Sequence, residues 1–282
     1  MWFNYHSHNT YCDGKGSLSD YIRSAKEKNF ISLGFSSHAP IPFECAWCMK
    51  NEKLNAYLQE IKLLKETTTY LQIYAGLEVD FIPNRINPND FENKLDYTIG
   101  SIHFVDEFSD STPWEIDGLH TLFLDGLEKI FKNNFKAAFT RYFELTREMI
   151  KISPPTIIGH LDKIKIQNLD NKFFDESENW YQKEVVKTIL AIKKAGMIVE
   201  INTRGLYQKK STTPYPSPWI IDLPIEQNIP VTLSSDAHHP DDLANQFPQL
   251  LGLLKNKNLK KIYAIDDSKW KPFNFNENGI LF

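Results

Sequence analysis

The sequence predicts an α/β fold in which seven or eight strand–helix units close into a parallel barrel. Three observations lead there. Short apolar, β-branched runs alternate with amphipathic helical stretches, the signature of βα units and a parallel sheet. Seven or eight such units within 282 residues suit a closed barrel better than an open sheet. Histidines and carboxylates recur where the predicted strands end, and there a parallel barrel gathers its active site.

"WFNYH" (2–6) predicts the first strand, and "GSLSDYIRSAKEKNF" a helix starting near Ser17 with Leu18, Tyr21, Ile22 and Ala25 on one face. "ISLGFSSH" (31–38) predicts the second strand. "NEKLNAYLQEIKLLKE" (51–66) follows as a helix with Leu54, Leu58, Ile61 and Leu64 at helical spacing. Strands three and four are "LQIYAGLEVDF" (71–81) and "LDYTIGSIHFV" (95–105), and a long helical insert fills 118–150. "PTIIGHLDKI" (155–164) gives strand five with its loop, and "QKEVVKTILAIKKAG" (182–196) a helix closing on Gly196. "MIVEINTRG" (197–205) and "IPVTLSSDAHH" (229–239) are strands six and seven, and "LKKIYAID" (259–266) is a candidate eighth. The Pro-rich "STTPYPSP" (211–218) is expected to be an active-site loop rather than a linker. No composition break marks a second domain, so residues 1–282 are expected to form one.

A chain 41% hydrophobic and 24% charged can bury a sizeable core. Its net charge of -4 argues against a general nucleic-acid surface and leaves room for a local basic pocket. Three cysteines, Cys12, Cys45 and Cys48, make no disulfide framework, which points to a reducing, cytoplasmic setting. Residues 1–15 lack the pattern of a signal peptide, and no run is apolar enough to span a membrane, so no membrane partner is expected.

His6 and His8 close strand one, His38 strand two, Glu78 strand three, His103 strand four, His160 strand five, and Asp236 with His238 strand seven. Residues i and i+2 of a strand share a face, so His6 and His8 can grip one ion, and the same spacing recurs at Asp236 and His238. Imidazole with carboxylate suits Zn, Fe and Mn. With Asp13 the set has nine members, more than one tetrahedral ion uses; two or three ions sharing a bridging carboxylate would employ them. A lone buried histidine is more often a satisfied core residue. The joint placement of six of the eight histidines carries the metal reading. Asp13, in "DG", reads equally well as a turn.

The segments "HSHNTYCDG", "SSHAP", "GLEVD", "GSIHF", "GHLD" and "SSDAHHP" resemble, in order, the motifs of the polymerase and histidinol phosphatase (PHP) family of metallophosphoesterases, from residue 6 to 240. An HxH pair alone also occurs in amidohydrolases; the full set is specific. Chain size and the segments "EINTRGLY" and "YPSP" are most similar to the stand-alone histidinol-phosphate phosphatases of histidine biosynthesis. The resemblance implies a distorted, TIM-like (β/α)7 barrel holding three divalent ions, Zn, Mn or Fe. Residue by residue it implies that His6, His8, Glu78 and Asp236 hold the first ion. Glu78 bridges to a second, completed by His103 and His160, and Asp13, His38 and His238 hold the third. Many members have histidine where this chain has Asp13, which bears on the third metal. The implied reaction is in-line attack on the phosphorus of L-histidinol phosphate by a metal-bridging hydroxide, with Glu78, Asp236 and His238 at the reacting centre, giving L-histidinol and phosphate.

A phosphomonoester dianion needs further cations. Arg204, past strand six, is the first candidate, because a guanidinium fork matches phosphate oxygens; Lys163 and Lys165 are next, and solvated surface charge is the bland reading of each. Asp80 and Glu44 are candidates for the substrate's amine or imidazole. "CAWC" (45–48) is expected to be a loop covering the pocket, with Trp47 as lid, in preference to a redox motif. No P-loop is present, against an ATP-driven reaction. The alternatives are a phosphoesterase of the same family acting on nucleotides or single-stranded nucleic acid, and a non-catalytic metal-binding module. The acidic balance speaks against nucleic acid, and oligomeric state is not readable.

Overall fold

The computed structural model describes residues 1–281. Ser17 opens α1 (Leu18–Glu27) with a capping box: its Oγ accepts the Asp20 amide while the Asp20 carboxylate accepts the Ser17 amide, and Leu18, Tyr21, Ile22 and Ala25 turn into the core. Seven strands are parallel: β1 (Trp2–Asn4), β2 (Phe30–Phe35), β3 (Gln72–Asp80), β4 (Tyr97–Ser101), β7 (Ile157–Ile158), β8 (Ile198–Asn202) and β9 (Val231–Ser234), in that spatial order. A hairpin of β5 (Phe104–Glu107) and β6 (Pro113–Glu115) follows β4. Helices α2 (Leu54–Thr67), α5 (Asn179–Ala195), the short α6 (Arg204–Tyr207) with α7 (Pro218–Glu226), and α8 (Phe247–Asn256) alternate with the strands.

β9 and β1 share no regular ladder. The gap closes at the C-terminal mouth alone, where Ser7 bridges Ala237: the His8 amide donates to Ala237 O (2.8 Å) and the Ala237 amide to His6 O (3.2 Å). The barrel is therefore a distorted (β/α)7 one, closed where the expected site lies.

The strands end earlier than the apolar runs predict, because the last residues leave the ladder to aim at the mouth. Strands predicted as 31–38 and 229–239 stop at Phe35 and Ser234. β7 keeps two residues, and a 3-10 segment (Lys163–Asn171) follows. The insert is two helices, α3 (His120–Phe131) and α4 (Phe135–Ile152), broken where Lys132 and Asn133 take positive φ. The expected eighth strand forms as β10 (Lys261–Asp266) but does not join the barrel. It pairs antiparallel with β11 (Lys269–Asn276), which pairs with β12 (Gly279–Leu281). The reason is local: the two-residue turn at Asp267 and Ser268, both at positive φ, folds the chain straight back, leaving no crossover helix to deliver a parallel strand.

This small sheet abuts the N-terminal ends of the strands. Tyr5 Oη accepts the Ile265 amide at 2.7 Å, and Trp270 packs edge-on against Tyr5 at 5.0 Å. Above it Tyr97 crosses the barrel, donating to Tyr5 O at 2.6 Å. A Cβ on Gly34 or Gly76 would fall 2.2 and 2.3 Å from the Tyr97 side chain, so two glycines make room for one ring. No helix among the described residues is long and apolar enough to cross a membrane.

Gly76→Ala should lower stability by at least about 1–3 kcal/mol, because the phenol it meets is buried and cannot swing away. A denaturant midpoint unchanged from the parent would refute this account of the barrel floor.

Candidate metal centre

Glu78 lies at the middle of the mouth, 1% exposed. It shares one face of β3 with Gly76 and Asp80, the face turned into the barrel. Its Oε2 lies 3.2 Å from His6 Nε2, 3.4 Å from His8 Nε2 and 3.1 Å from His38 Nδ1; its Oε1 lies 2.9 Å from His160 Nε2 and 3.7 Å from His103 Nε2. Asp236 Oδ1 stands 3.7 Å from His6 Nε2 and 3.2 Å from His8 Nε2. Asp13, at the exposed rim, faces His238 Nε2 at 3.3 Å and His38 Nε2 at 3.9 Å. All nine expected residues thus meet, from segments as far apart as 6–8 and 236–238.

Whether the donors suit a metal is testable on the ring nitrogens. His6 Nε2, His8 Nε2 and His38 Nδ1 are buried and have no hydrogen-bond partner among the described residues, although carboxylate oxygens stand beside them. Metal–ligand bonds of about 2.0–2.2 Å in a tetrahedron place ligand atoms roughly 3.3–3.6 Å apart. The His6–His8–Glu78–Asp236 set spans 3.2–3.7 Å. The donor set therefore fits divalent ions of the Zn, Mn or Fe kind. Four ligand groups can be drawn: His6–His8–Asp236, His6–Glu78–His160, His38–Glu78–His103 and His8–Asp13–His38–His238. His38 belongs to two of them, through its two ring nitrogens.

Two carboxylates orient the rings from behind. Glu200, on β8, sits 2.5 Å from His6 Nδ1 and accepts the His160 amide at 2.6 Å and Ser234 Oγ at 2.5 Å. Asp80 accepts the His103 amide (2.9 Å) and stands 3.0 Å from its Nδ1. Such partners fix the tautomer that turns the other nitrogen to an ion. Asp80 is thus spent on His103 instead of reading the substrate's amine, and Glu44 is exposed and off the cavity wall. Glu200 was not singled out by sequence. Its signal was there: a carboxylate inside an apolar strand, two residues before Asn202, hence inward like Glu78.

Burial works to raise the pKa of Glu78 and Asp236, but the imidazoles around them, His6 foremost, hold both well below the usual carboxylate range; Arg204 adds to this at Asp236. Burial works to lower His103, yet Asp80 and Glu78 raise it to about 10. Burial, His8 and Arg204 push His238 down to about 4.

Beside the cluster lies a cavity of about 240 Å³. Arg204, Lys163 and Lys210 bring positive charge to it, Glu115 and Asp117 negative charge, and Trp47 and Tyr215 aromatic faces. Arg204 Nη1 donates to Asp236 O at 2.8 Å and lies 2.5 Å from His238 Nδ1. Lys163 Nζ lies 3.4 Å from Asp117. Trp47 packs against His38 at 4.5 Å and His103 at 5.4 Å, and Tyr215 comes from the expected "STTPYPSP" loop. Lys165 does not reach the cavity. Its ammonium is saturated by Asp162, Thr213, Pro214 O and Ser217, all within 3.0 Å, so it pins that loop and has no donor left for phosphate. His120 bonds Gln167 and Lys172, and His239 is a surface cap, both away from the cluster.

A parallel barrel with a histidine–carboxylate cluster at its C-terminal mouth is the architecture of a metal-centre barrel enzyme. This chain belongs to the PHP domain family, whose model matches residues 4–204. It is 27% identical over 253 residues to a Deinococcus radiodurans protein named probable histidinol-phosphatase, covering 86% of this chain and 88% of that one. It is 27% identical over 278 residues to histidinol-phosphatase of Bacillus subtilis, covering 87% and 97%. The fold matches a crystal structure of histidinol phosphate phosphatase from Lactococcus lactis complexed with zinc, L-histidinol and phosphate, at TM-score 0.73 and 19% identity over 95% of this chain and 98% of that one.

Glu200→Gln should lower metal affinity about 10–100-fold while the fold persists, because it frees the His6 ring. Metal content after dialysis against graded chelator, beside the circular dichroism spectrum, measures both; full metal retention would remove Glu200 from the site.

Proposed function

We propose that the chain is a histidinol-phosphate phosphatase, a phosphoric monoester hydrolase that cleaves L-histidinol phosphate to L-histidinol and phosphate in histidine biosynthesis. The observation that carries this reading is one cavity with three kinds of wall: seven of the nine cluster residues, cations for a phosphate, and carboxylates for a cationic alcohol. The Bacillus subtilis relative, matched over nearly its full length, carries the same activity in its name, and the Lactococcus lactis neighbour holds zinc, L-histidinol and phosphate. We assign the whole chain to one catalytic domain acting in the cytoplasm, in keeping with three cysteines that form no disulfide framework.

In this reading His6, His8, Glu78 and Asp236 hold one ion, Glu78, His103 and His160 a second, and Asp13, His38 and His238 a third. Bound there, the ions would lower the pKa of a water and neutralise charge on the phosphoryl group. The protein's own groups do the rest. Glu78 ties two subsites together by presenting one oxygen to each. Asp236 keeps an unprotonated oxygen toward the cluster. His238 stands at the open edge beside Arg204, where the leaving alcohol departs. Arg204, anchored on Asp236 O, is preoriented for a phosphate oxygen, and Lys163 adds a second charge. Glu115 and Asp117 also line the cavity and suit histidinol's ammonium and imidazole. A cavity this small, in a chain of net charge -4, offers no track for a nucleic acid strand.

Metal-loaded protein should release phosphate from L-histidinol phosphate much faster than from p-nitrophenyl phosphate, a nucleoside bisphosphate or single-stranded DNA. Equal slow turnover of all four would sink the substrate assignment. Arg204→Ala should lower kcat/KM about 10–100-fold, the worth of a charge-assisted hydrogen bond. Glu115→Gln should raise KM for histidinol phosphate and leave p-nitrophenyl phosphate unaffected; a parallel loss on both substrates would move Glu115 out of the leaving-group site.

A further inference from the structure

The mechanism leaves one chemistry-bearing motif unused, the "CAWC" loop. Cys45 and Cys48 are free thiols whose Sγ atoms lie 2.7 Å apart, and the Cys48 amide donates to Cys45 Sγ at 3.2 Å. A disulfide needs an S–S separation of about 2.05 Å, so closing one calls for a movement of less than about 1 Å. Cys45 is half-buried and reachable, whereas Cys48 is 6% exposed and lies behind it. The hydrogen bond from Cys48 favours a thiolate on Cys45, and burial raises Cys48. This is the division between an attacking and a resolving thiol. Between the two stands Trp47, stacked at 5.6 Å and 12° on Phe104 and packed on His38 and His103.

We propose that Cys45 and Cys48 form a dithiol–disulfide couple that takes low-molecular-weight disulfides as oxidant, and that its oxidised form stiffens the Trp47 loop over the cavity. The Cys45 thiolate attacks one sulfur of the oxidant, forming a mixed disulfide and expelling one thiolate. Cys48 loses its proton as it attacks Cys45 Sγ, and the second thiolate leaves. Two cysteine thiols become one disulfide, and one small disulfide becomes two thiols, with two electrons and two protons transferred. Cys12, 3.6 Å from His8 Nδ1, lies outside the C-x-x-C pair and is the internal control.

The test treats the folded, metal-loaded protein with oxidised glutathione, maps the modified cysteines by peptide mass, and follows amide exchange with and without dithiothreitol. Neither readout needs turnover, so the outcome is separate from that of the proposed phosphatase activity. The expected result is a Cys45–Cys48 disulfide with loss of two hydrogens. Exchange through residues 44–49 should slow at least about ten-fold, reversibly, and not in a Cys45→Ser/Cys48→Ala variant. Glutathione left on Cys12 or on single cysteines, or a disulfide with no change in loop exchange, would overturn the proposal.

Discussion

The site depends on one backbone contact. The bridge between Ser7 and Ala237 is the only place among the described residues where the first and last barrel strands meet in register, and each of the two residues lies between members of an i, i+2 pair. Closing the barrel there sets His6 and His8 beside Asp236 and His238, with the side chains of both pairs turned the same way. A slip of one residue would send all four outward. Barrel closure and site assembly are therefore the same event, and the Asn4 side-chain amide, donating to Ser235 Oγ at 2.7 Å, supports the bridge from below.

The second constraint is electrostatic. Glu78, Glu200 and Asp236 are almost wholly removed from water, and an unpaired buried charge is expensive. The structure answers with imidazoles on the cavity side and with hydrogen bonds from Ser101, Ser234 and the His160 amide behind. Rings and carboxylates hold one another in place, which preorganises a centre for cations of higher charge. The outer wall repeats the logic at lower density, Arg204 on Asp236 and Lys163 on Asp117.

Much of this was legible in the sequence because period and punctuation agree. The βα alternation gave the barrel, Ser17 its first helix, and strand-end histidines and acids the cluster. What escaped has physical reasons. Strand ends could not be placed, since an apolar run does not show where residues leave a ladder to face a site. β10 carries a strand's composition, and only the turn after it decides which sheet it joins. Lys165 and Lys163 are two residues apart on one 3-10 segment, and which of them meets the cavity depends on where Thr213 and Ser217 arrive from a distant loop. Glu200 hid inside an apolar strand, and Lys210 in an unpatterned polar loop.

The Tyr97 ring, seated over Gly34 and Gly76 with the β10–β12 sheet beneath it, has a consequence for traffic. It plugs the barrel behind the cluster, and the cavity in front lies toward the rim where Asp13 sits. Whatever binds deepest is hemmed in by whatever binds nearer the rim, so entry and departure are forced into a sequence. For a phosphomonoester held phosphate-first against the cluster, the alcohol leaves before the phosphate, by depth alone.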